Sequence, residues 1–351
     1  EMIGFAEYPI PTKDPVQYEK RLGMLSELGM KEYTYEELLE DAKAAYAEER
    51  FPGGAAPVVK VKEGVYSLEL WHGPTCAFKD MALQILPHLL TKAVKKTGEN
   101  NTIAILVATS GDTGKAALEG FCDVEDTEIM VFYPSDGVSP MQKLQMDSQK
   151  GENVRVCAIK GNFDDAQTGV KKIFTDNAVK EKLLENNMQF SSANSINWGR
   201  LAPQIVYYVS AYCDMLERGD DYLKDGFNIV VPTGNFGNIL AAFYAKNMGL
   251  PIAKLVCASN DNKVLFDFFQ TGTYDKNREF ILTTSPSMDI LISSNLERLL
   301  SLVTNSDDKL VAYWMNSLKN DGKYEVSEDV KAKIISRVIF HIFYSQIHTN
   351  I

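Results

Sequence analysis

An α/β fold built on parallel sheets is predicted by three features of the sequence. Beyond Asn101, short apolar runs rich in β-branched residues alternate with helical stretches: Ile103–Ala108, Ile129–Tyr133, Val154–Ile159, Ile229–Val231 and Leu255–Ala258. These runs are continuously apolar instead of alternating in polarity, the pattern of strands covered by helices on both faces. At 351 residues the chain is also longer than one hydrophobic core usually grows, so two domains are expected. Any single run of this kind could also be buried helix; their alternation with helical stretches along the chain is what favours strands.

From the N-terminus, the first fifty residues read as helical and polar. Leu38, Leu39, Ala42, Ala45 and Tyr46 recur at helical spacing inside the acidic stretch Tyr35–Arg50, and Phe51-Pro52-Gly53-Gly54 stops the pattern. A helical N-terminal region is therefore expected over 1–57. Two strand-like runs follow, Val58–Lys62 and Val65–Trp71, leading into His72-Gly73-Pro74-Thr75, and then a helix from Asp80 that should kink near Pro87. The organisation expected beyond that is a small α/β domain over 101–195 and a larger domain assembled from 58–100 and 196–351. No internal repeat or low-complexity tract is evident.

Composition narrows the function. Lys plus Arg number 36 against 47 Asp plus Glu, a net charge of −11, which argues against a nucleic-acid binder because phosphate neutralisation needs a basic face. With 45% hydrophobic and 24% charged residues the chain is an ordinary globular one, neither disordered nor collagenous. No apolar run is long enough to span a bilayer, and Glu1–Tyr8 shows no basic segment followed by an apolar one, so a soluble cytoplasmic protein is expected. Cys76, Cys122, Cys157, Cys213 and Cys257 are widely spaced and form no C-x-x-C pair, which fits a reducing compartment and excludes a disulfide framework or zinc knuckle.

Ligands of open α/β sheets bind beyond the carboxyl ends of the strands, so the residues just after each run are the informative ones. The first such segment is Trp71–Asp80. Lys79 stands there at a strand-to-helix junction among apolar neighbours, where desolvation and a helix N-terminus both favour the neutral, nucleophilic amine. Taken alone, the segment fits better a helix-start lysine that faces water. The second is Ala108–Lys115, where glycines, hydroxyls and a helix starting near Thr113 make an anion cradle. It is not a Walker loop, since Thr109 stands where a glycine is required and Ala116 replaces the magnesium-holding hydroxyl. Ser110, Asp112 and Thr113 could equally be helix caps. The third is Val230–Asn238, a strand opening into a glycine- and asparagine-rich turn that is either a phosphate-sized nest or a tight βα turn without a ligand. Together, a lysine after a strand, a cradle suited to a carboxylate and another suited to a phosphate describe a pyridoxal-phosphate site for an amino-acid substrate.

On these residues the sequence resembles the threonine synthase family, pyridoxal-phosphate enzymes of the tryptophan-synthase-β-like fold, or fold type II. His72-Gly73-Pro74-Thr75 through Phe78-Lys79-Asp80 is similar to the family's Schiff-base lysine motif, Thr109–Gly114 to its carboxylate loop and Pro232–Asn238 to its cofactor-phosphate loop. Ser192–Arg200 and Ser285–Ile290 are also similar to family segments, and the likeness runs from the first residues to about Lys333. The resemblance implies two open, twisted, mostly parallel sheets flanked by helices, the larger domain binding the cofactor. It implies conversion of O-phospho-L-homoserine and water to L-threonine and phosphate, a carbon–oxygen lyase reaction of threonine biosynthesis.

In that reading Lys79 binds pyridoxal 5′-phosphate and moves protons at the substrate's α and β carbons. Thr233, Gly234, Asn235, Phe236, Gly237 and Asn238 hold the cofactor phosphate, and Ser110, Gly111, Asp112 and Thr113 face the substrate carboxylate. Asp112 is expected to cap the helix or meet a donor beside the ring, because an ionised acid would repel a carboxylate. Ser195, Asn197 and Arg200 are candidates for the substrate phosphate, since hydroxyl, amide and guanidinium donors in one short segment can surround a dianion. The alternative for Arg200 is a helix-start arginine paired with a surface acid. His72 is expected to pack or hydrogen-bond, not to shuttle protons. The substrate is the one partner expected, acting on a monomer or homodimer. A related dehydratase or phospholyase would need no such clamp, or a differently shaped one, so Asn197 and Arg200 separate the readings.

The ends depart from the family. Position 1 is glutamate, so the chain is expected to begin inside a longer one or after trimming. Ile334–Ile351 contains no Asp, Glu, Gly or Pro and lacks the Asp-Pro-His-Thr-Ala segment that gives the family a threonine near the pyridine nitrogen; His348-Thr349 is too little to replace it. A truncated or out-of-frame C-terminus with weakened cofactor binding is therefore expected, and an inactive remnant is the third reading. Val338–Ile347 is too apolar for a free terminus and too short to cross a membrane.

Overall fold

The computed structural model describes residues 33–195, 197–219, 223, 226–337 and 340–344. Much of the helical region expected over 1–57 lies outside these residues, as does His348-Thr349. The described chain divides into two compact units that part between Met215 and Leu216.

In the first unit, helix α1 (Tyr35–Ala45) opens on a capping box: the Thr34 hydroxyl accepts from the Glu37 N–H at 3.2 Å, and the Glu37 carboxylate accepts from the Thr34 N–H at 2.8 Å. Leu38, Ala42 and Ala45 are buried, as their spacing predicts. Strands β1 (Val58–Lys62) and β2 (Val65–Leu68) pair antiparallel, β2 ending short of Trp71. The helix expected from Asp80 is two helices, α2 (Asp80–Leu83) and α3 (Leu86–Lys96). They break at Gln84-Ile85, which places Pro87 in the first turn of α3, where its missing N–H has no partner to lose.

There follow β3 (Thr102–Ala108), α4 (Asp112–Phe121), β4 (Thr127–Pro134), α5 (Pro140–Asp147), β5 (Val154–Ile159), α6 (Phe163–Thr175), α7 (Asn177–Glu185), β6 (Met188–Ser191) and α8 (Trp198–Glu217). The four strands form one parallel sheet in the order β5-β4-β3-β6. Alternate residues of β3 bury opposite faces. Ile103, Ile105 and Val107 pack with Ala116, Ala117, Leu118 and Phe121 of α4, whereas Leu106 and Ala108 pack with Ala166 and Val170 of α6. Covering on both sides is why this run is apolar at every position. The loop after β3 therefore leaves a strand with little freedom to shift.

The second unit runs β7 (Phe227–Pro232), α9 (Gly237–Asn247), β8 (Ile252–Ser259), α10 (Val264–Thr271), β9 (Thr273–Asp275), α11 (Leu296–Val303), α12 (Asp308–Asn320), β10 (Lys323–Glu325), α13 (Glu328–Arg337) and β11 (Phe340–Tyr344). Strands β7, β8 and β11 form a parallel sheet in the order β11-β8-β7, and β9 pairs antiparallel with β10. The apolar tail, unassigned in the sequence, thus supplies a strand, with Phe340 opposite Leu255 and Tyr344 opposite Ser259. Among the described residues no helix is long and apolar enough to cross a membrane, and no group of His, Cys, Asp or Glu could hold a metal ion. The five cysteines are free thiols.

Candidate active site

Lys79 immediately precedes α2, and its side chain is only 10% exposed, so it is not the water-facing lysine that the local sequence favours. Its Nζ lies 3.3 Å from Asp112 Oδ2 and 5.1 Å over the Phe78 ring. Burial lowers its pKa; the Asp112 carboxylate opposes that shift, and the Arg200 guanidinium adds to it. The loop before it is pinned by the fully buried Asp80, whose carboxylate accepts from the Thr75 N–H at 2.8 Å and the Thr75 hydroxyl at 2.7 Å. His72 is hydrogen-bonded to Glu69 at 2.8 Å and stacks on Trp71, as its packing role predicts.

The depressed lysine has a consequence for stability. Between its folded value and the ordinary lysine value the unfolded chain is protonated and the folded chain is not, so stability rises with pH across that interval and is lost as pH falls through it. Lys79→Met should flatten that rise in the cofactor-free protein. Melting temperatures of the two proteins across the alkaline range check it, and parallel slopes would show that Lys79 does not carry the effect.

After β3, the buried Thr109 organises the turn: its hydroxyl oxygen accepts from the Gly111 and Gly114 N–H groups, both at 2.9 Å. None of Ser110, Asp112 and Thr113 caps α4, which begins without a side-chain cap. Gly111 has φ 141°, and a Cβ there would collide with the Gln142 side chain, so backbone and space both require glycine. Ser110 and Thr113 flank it half-buried. Asp112 is turned to donors: its Oδ2 faces Lys79 and its Oδ1 accepts from Gln142 Nε2 at 2.6 Å. Thr109 and Gln142 are site residues that the sequence reading does not single out.

The segment before α8 contributes differently from its three candidates. The Asn197 side chain builds the turn, donating to the Ser192 carbonyl at 2.8 Å and accepting from the Gly199 N–H at 2.9 Å. Ser195 is half-buried in the same turn. Arg200 is 4% exposed, and it donates through one terminal nitrogen to the Ala193 carbonyl. Its Nε–H is buried without a partner, and among the described residues no carboxylate pairs with it, which overturns the surface ion-pair alternative. Burial pushes its pKa down to about 10. Asn194 Oδ1, in the same segment, is likewise buried without a hydrogen-bond partner.

In the second unit, the turn after β7 is tied by its carbonyls. Gly234 O accepts from the Ser293 hydroxyl at 2.7 Å, and Asn235 O accepts from the Asn295 N–H at 3.1 Å and its Nδ2 at 3.0 Å. The Thr233 hydroxyl donates back to the Val231 carbonyl at 2.7 Å. Phe236 is buried with φ 66°, and α9 starts at Gly237, followed by Asn238, with no side-chain cap on its first turn. Such an end favours an anion. A Cβ on Gly234 would stand 3.2 Å from Met288 Cα, and one on Gly237 would stand 3.3 Å from Asn295 Nδ2. Each unit thus carries a feature that pyridoxal phosphate uses, the first a desolvated lysine and the second a carbonyl-anchored glycine cradle at an uncapped helix start. Gly237→Val should weaken pyridoxal-phosphate binding by about 10-fold or more, given the usual 1–3 kcal/mol cost of overpacking, and change substrate KM little at saturating cofactor. Fluorescence titration with the cofactor measures it, and an unchanged curve would make the turn purely structural.

The family model for pyridoxal-phosphate dependent enzymes matches residues 52–314. The human protein named Threonine synthase-like 1 is 43% identical over 299 residues, which are 83% of this chain and 40% of that protein. Threonine synthase of Saccharomyces cerevisiae is 42% identical over 284 residues, 77% of this chain and 54% of the yeast enzyme. The chain thus spans about half or less of the length of these two relatives. The crystal structure of pyridoxal-phosphate-bound threonine synthase from Brucella melitensis superposes with a TM-score of 0.81 at 38% identity, covering 97% of this chain and 71% of that one. The chain therefore belongs to the pyridoxal-phosphate dependent enzymes, and within them to the threonine synthase family.

Proposed function

We propose that this protein converts O-phospho-L-homoserine and water to L-threonine and phosphate, with pyridoxal phosphate held by Lys79 and the turn Thr233–Asn238. The observation that carries the reading is Arg200, a buried guanidinium with an unpartnered Nε–H and no carboxylate beside it among the described residues. A buried cation without a counter-ion is costly unless an anion arrives with the ligand. A phosphate dianion would supply the missing charge and acceptor oxygens together.

When bound, the cofactor supplies the electron sink that makes hydrogens at the substrate's α and β carbons removable. The chain's own groups do the rest. Lys79 Nζ, kept low in proton affinity by burial, takes and returns protons at those carbons, its flexible stem reaching both. The start of α4, with Ser110, Gly111 and Thr113, binds the substrate carboxylate and so fixes the direction of the α C–H bond. Asp112, engaged by Lys79 and Gln142, is turned away from that duty. Arg200 holds the γ phosphate before and after it leaves, with Ser195 and Asn197 shaping the turn that carries it. The test is phosphate release from O-phospho-L-homoserine by the purified chain with and without pyridoxal phosphate, beside L-serine and L-threonine as alternative substrates. Cofactor-dependent phosphate release supports the reading, and turnover confined to the unphosphorylated amino acids would replace it with a dehydratase.

A further inference from the structure

The carboxylate that meets Lys79 is held from outside its own loop. Asp112 Oδ1 accepts from Gln142 Nε2 at 2.6 Å, while Asp112 Oδ2 lies 3.3 Å from Lys79 Nζ. Gln142 is 8% exposed and is itself anchored by the cap of α5. Its Oε1 accepts from the Ser139 N–H at 3.2 Å, and its own N–H donates to the Ser139 hydroxyl at 3.2 Å. The oxygen end of the amide is thus committed to the cap, which leaves only its N–H end for Asp112. Gly111 packs so closely on the same amide that a Cβ could not be accommodated. One side chain on α5 therefore shapes both the carboxylate loop and the acid facing the lysine.

We infer that Gln142 is a positioning residue: it fixes the Asp112 carboxylate with one oxygen toward Lys79, so that the chain Ser139–Gln142–Asp112 sets how readily Lys79 gives up its proton. The inference rests on Lys79 being the lysine that carries the cofactor. An amide N–H donated to a carboxylate stabilises the charged form, and the charge nearest an amine decides how far burial can depress it. Among the described residues the charged groups facing Lys79 are Asp112, Arg200 and Asp80, beside the Phe78 ring; of these acids Asp112 is the one hydrogen-bonded to it, since Asp80 is spent on Thr75. Orientation of Asp112 is therefore the adjustable part of the lysine's surroundings.

The two duties of Gln142 can be separated. Gln142→Glu keeps the cap, because glutamate serves a capping box as glutamine does, but replaces the donor facing Asp112 with a second carboxylate. The readout is the pH dependence of Lys79 acylation by a small anhydride in the cofactor-free full chain, followed by peptide mapping, since only the neutral amine reacts. The midpoint should rise by about one pH unit in Gln142→Glu, an added negative charge favouring the ammonium form. Gln142→Met, which removes the donor without adding charge and so frees Asp112 to turn from the lysine, should move it the opposite way, downward, by a smaller step. Ser139→Ala weakens the cap but leaves the amide on Asp112, so it should lower the melting temperature and leave the midpoint in place. An unmoved midpoint in both Gln142 variants, or an equal shift in Ser139→Ala, overturns the proposal. Borohydride reduction of the cofactor-loaded wild type reports separately: a pyridoxyl group on another lysine would remove the cofactor reading, while the acylation series would still answer for Gln142.

Discussion

Lys79→Ala should leave a folded protein that takes up pyridoxal phosphate only reversibly and turns over O-phospho-L-homoserine at least about 10³-fold more slowly, the scale of losing a positioned general base. The size of the effect follows from the lysine's surroundings. Its amine is desolvated, hydrogen-bonded to Asp112 and under the influence of the Arg200 charge, the surroundings of a group that exchanges protons readily. Because a buried lysine is an electrostatic burden on the empty fold, the variant should unfold at the same temperature as the wild type or higher. Borohydride trapping, stopped assays and melting curves measure the three consequences. Retained turnover would move the chemistry to another residue.

Arg200→Met is expected to lower kcat/KM for O-phospho-L-homoserine by about 10²- to 10³-fold, mainly through KM, since truncating one partner of a buried charged pair costs about 2–5 kcal/mol. The same substitution should not destabilise the ligand-free protein. Among the described residues no carboxylate would be left unpaired by it, and the buried Nε–H that now has no partner would be gone. A structural arginine would behave in the opposite way, with a large fall in melting temperature and an unchanged KM. Cofactor titration should be unaffected, because the cofactor phosphate is assigned to the turn at Gly234–Asn238.

How much of this was legible in the sequence depended on what each residue touches. The strands β3 and β4 were readable as uninterrupted apolar runs and β5 as one broken by Arg155; β3 carries the unbroken pattern because helices bury both its faces. Strand β6 was not, because Met188–Ser191 is a short, half-buried edge strand whose mixed residues satisfy only one neighbour. Lys79 stood out through its junction between strand and helix, and the turn at Gly234 through its glycines. The tail at 340–344 was apolar without a visible reason, since its partner β8 lies far back in the chain. Gln142 gave no local signal beyond its place in the capping box of α5; its reach to Asp112, 30 residues away, exists only once β4 carries the chain between them. Asn197 was noticed for its amide, but only the fold shows that amide spent on Ser192 and Gly199. That no acid among the described residues pairs with Arg200 is a property of packing, which no local pattern encodes.

The measurement that bears most directly on the proposed reaction is the ratio of threonine to phosphate formed from O-phospho-L-homoserine by the pyridoxal-phosphate-loaded chain. Both products should appear at equal rates, one threonine for each phosphate, and both should vanish together in Lys79→Ala. Phosphate accompanied by 2-oxobutanoate and ammonia in place of threonine would contradict the synthase assignment and make the protein a phospholyase of the same fold.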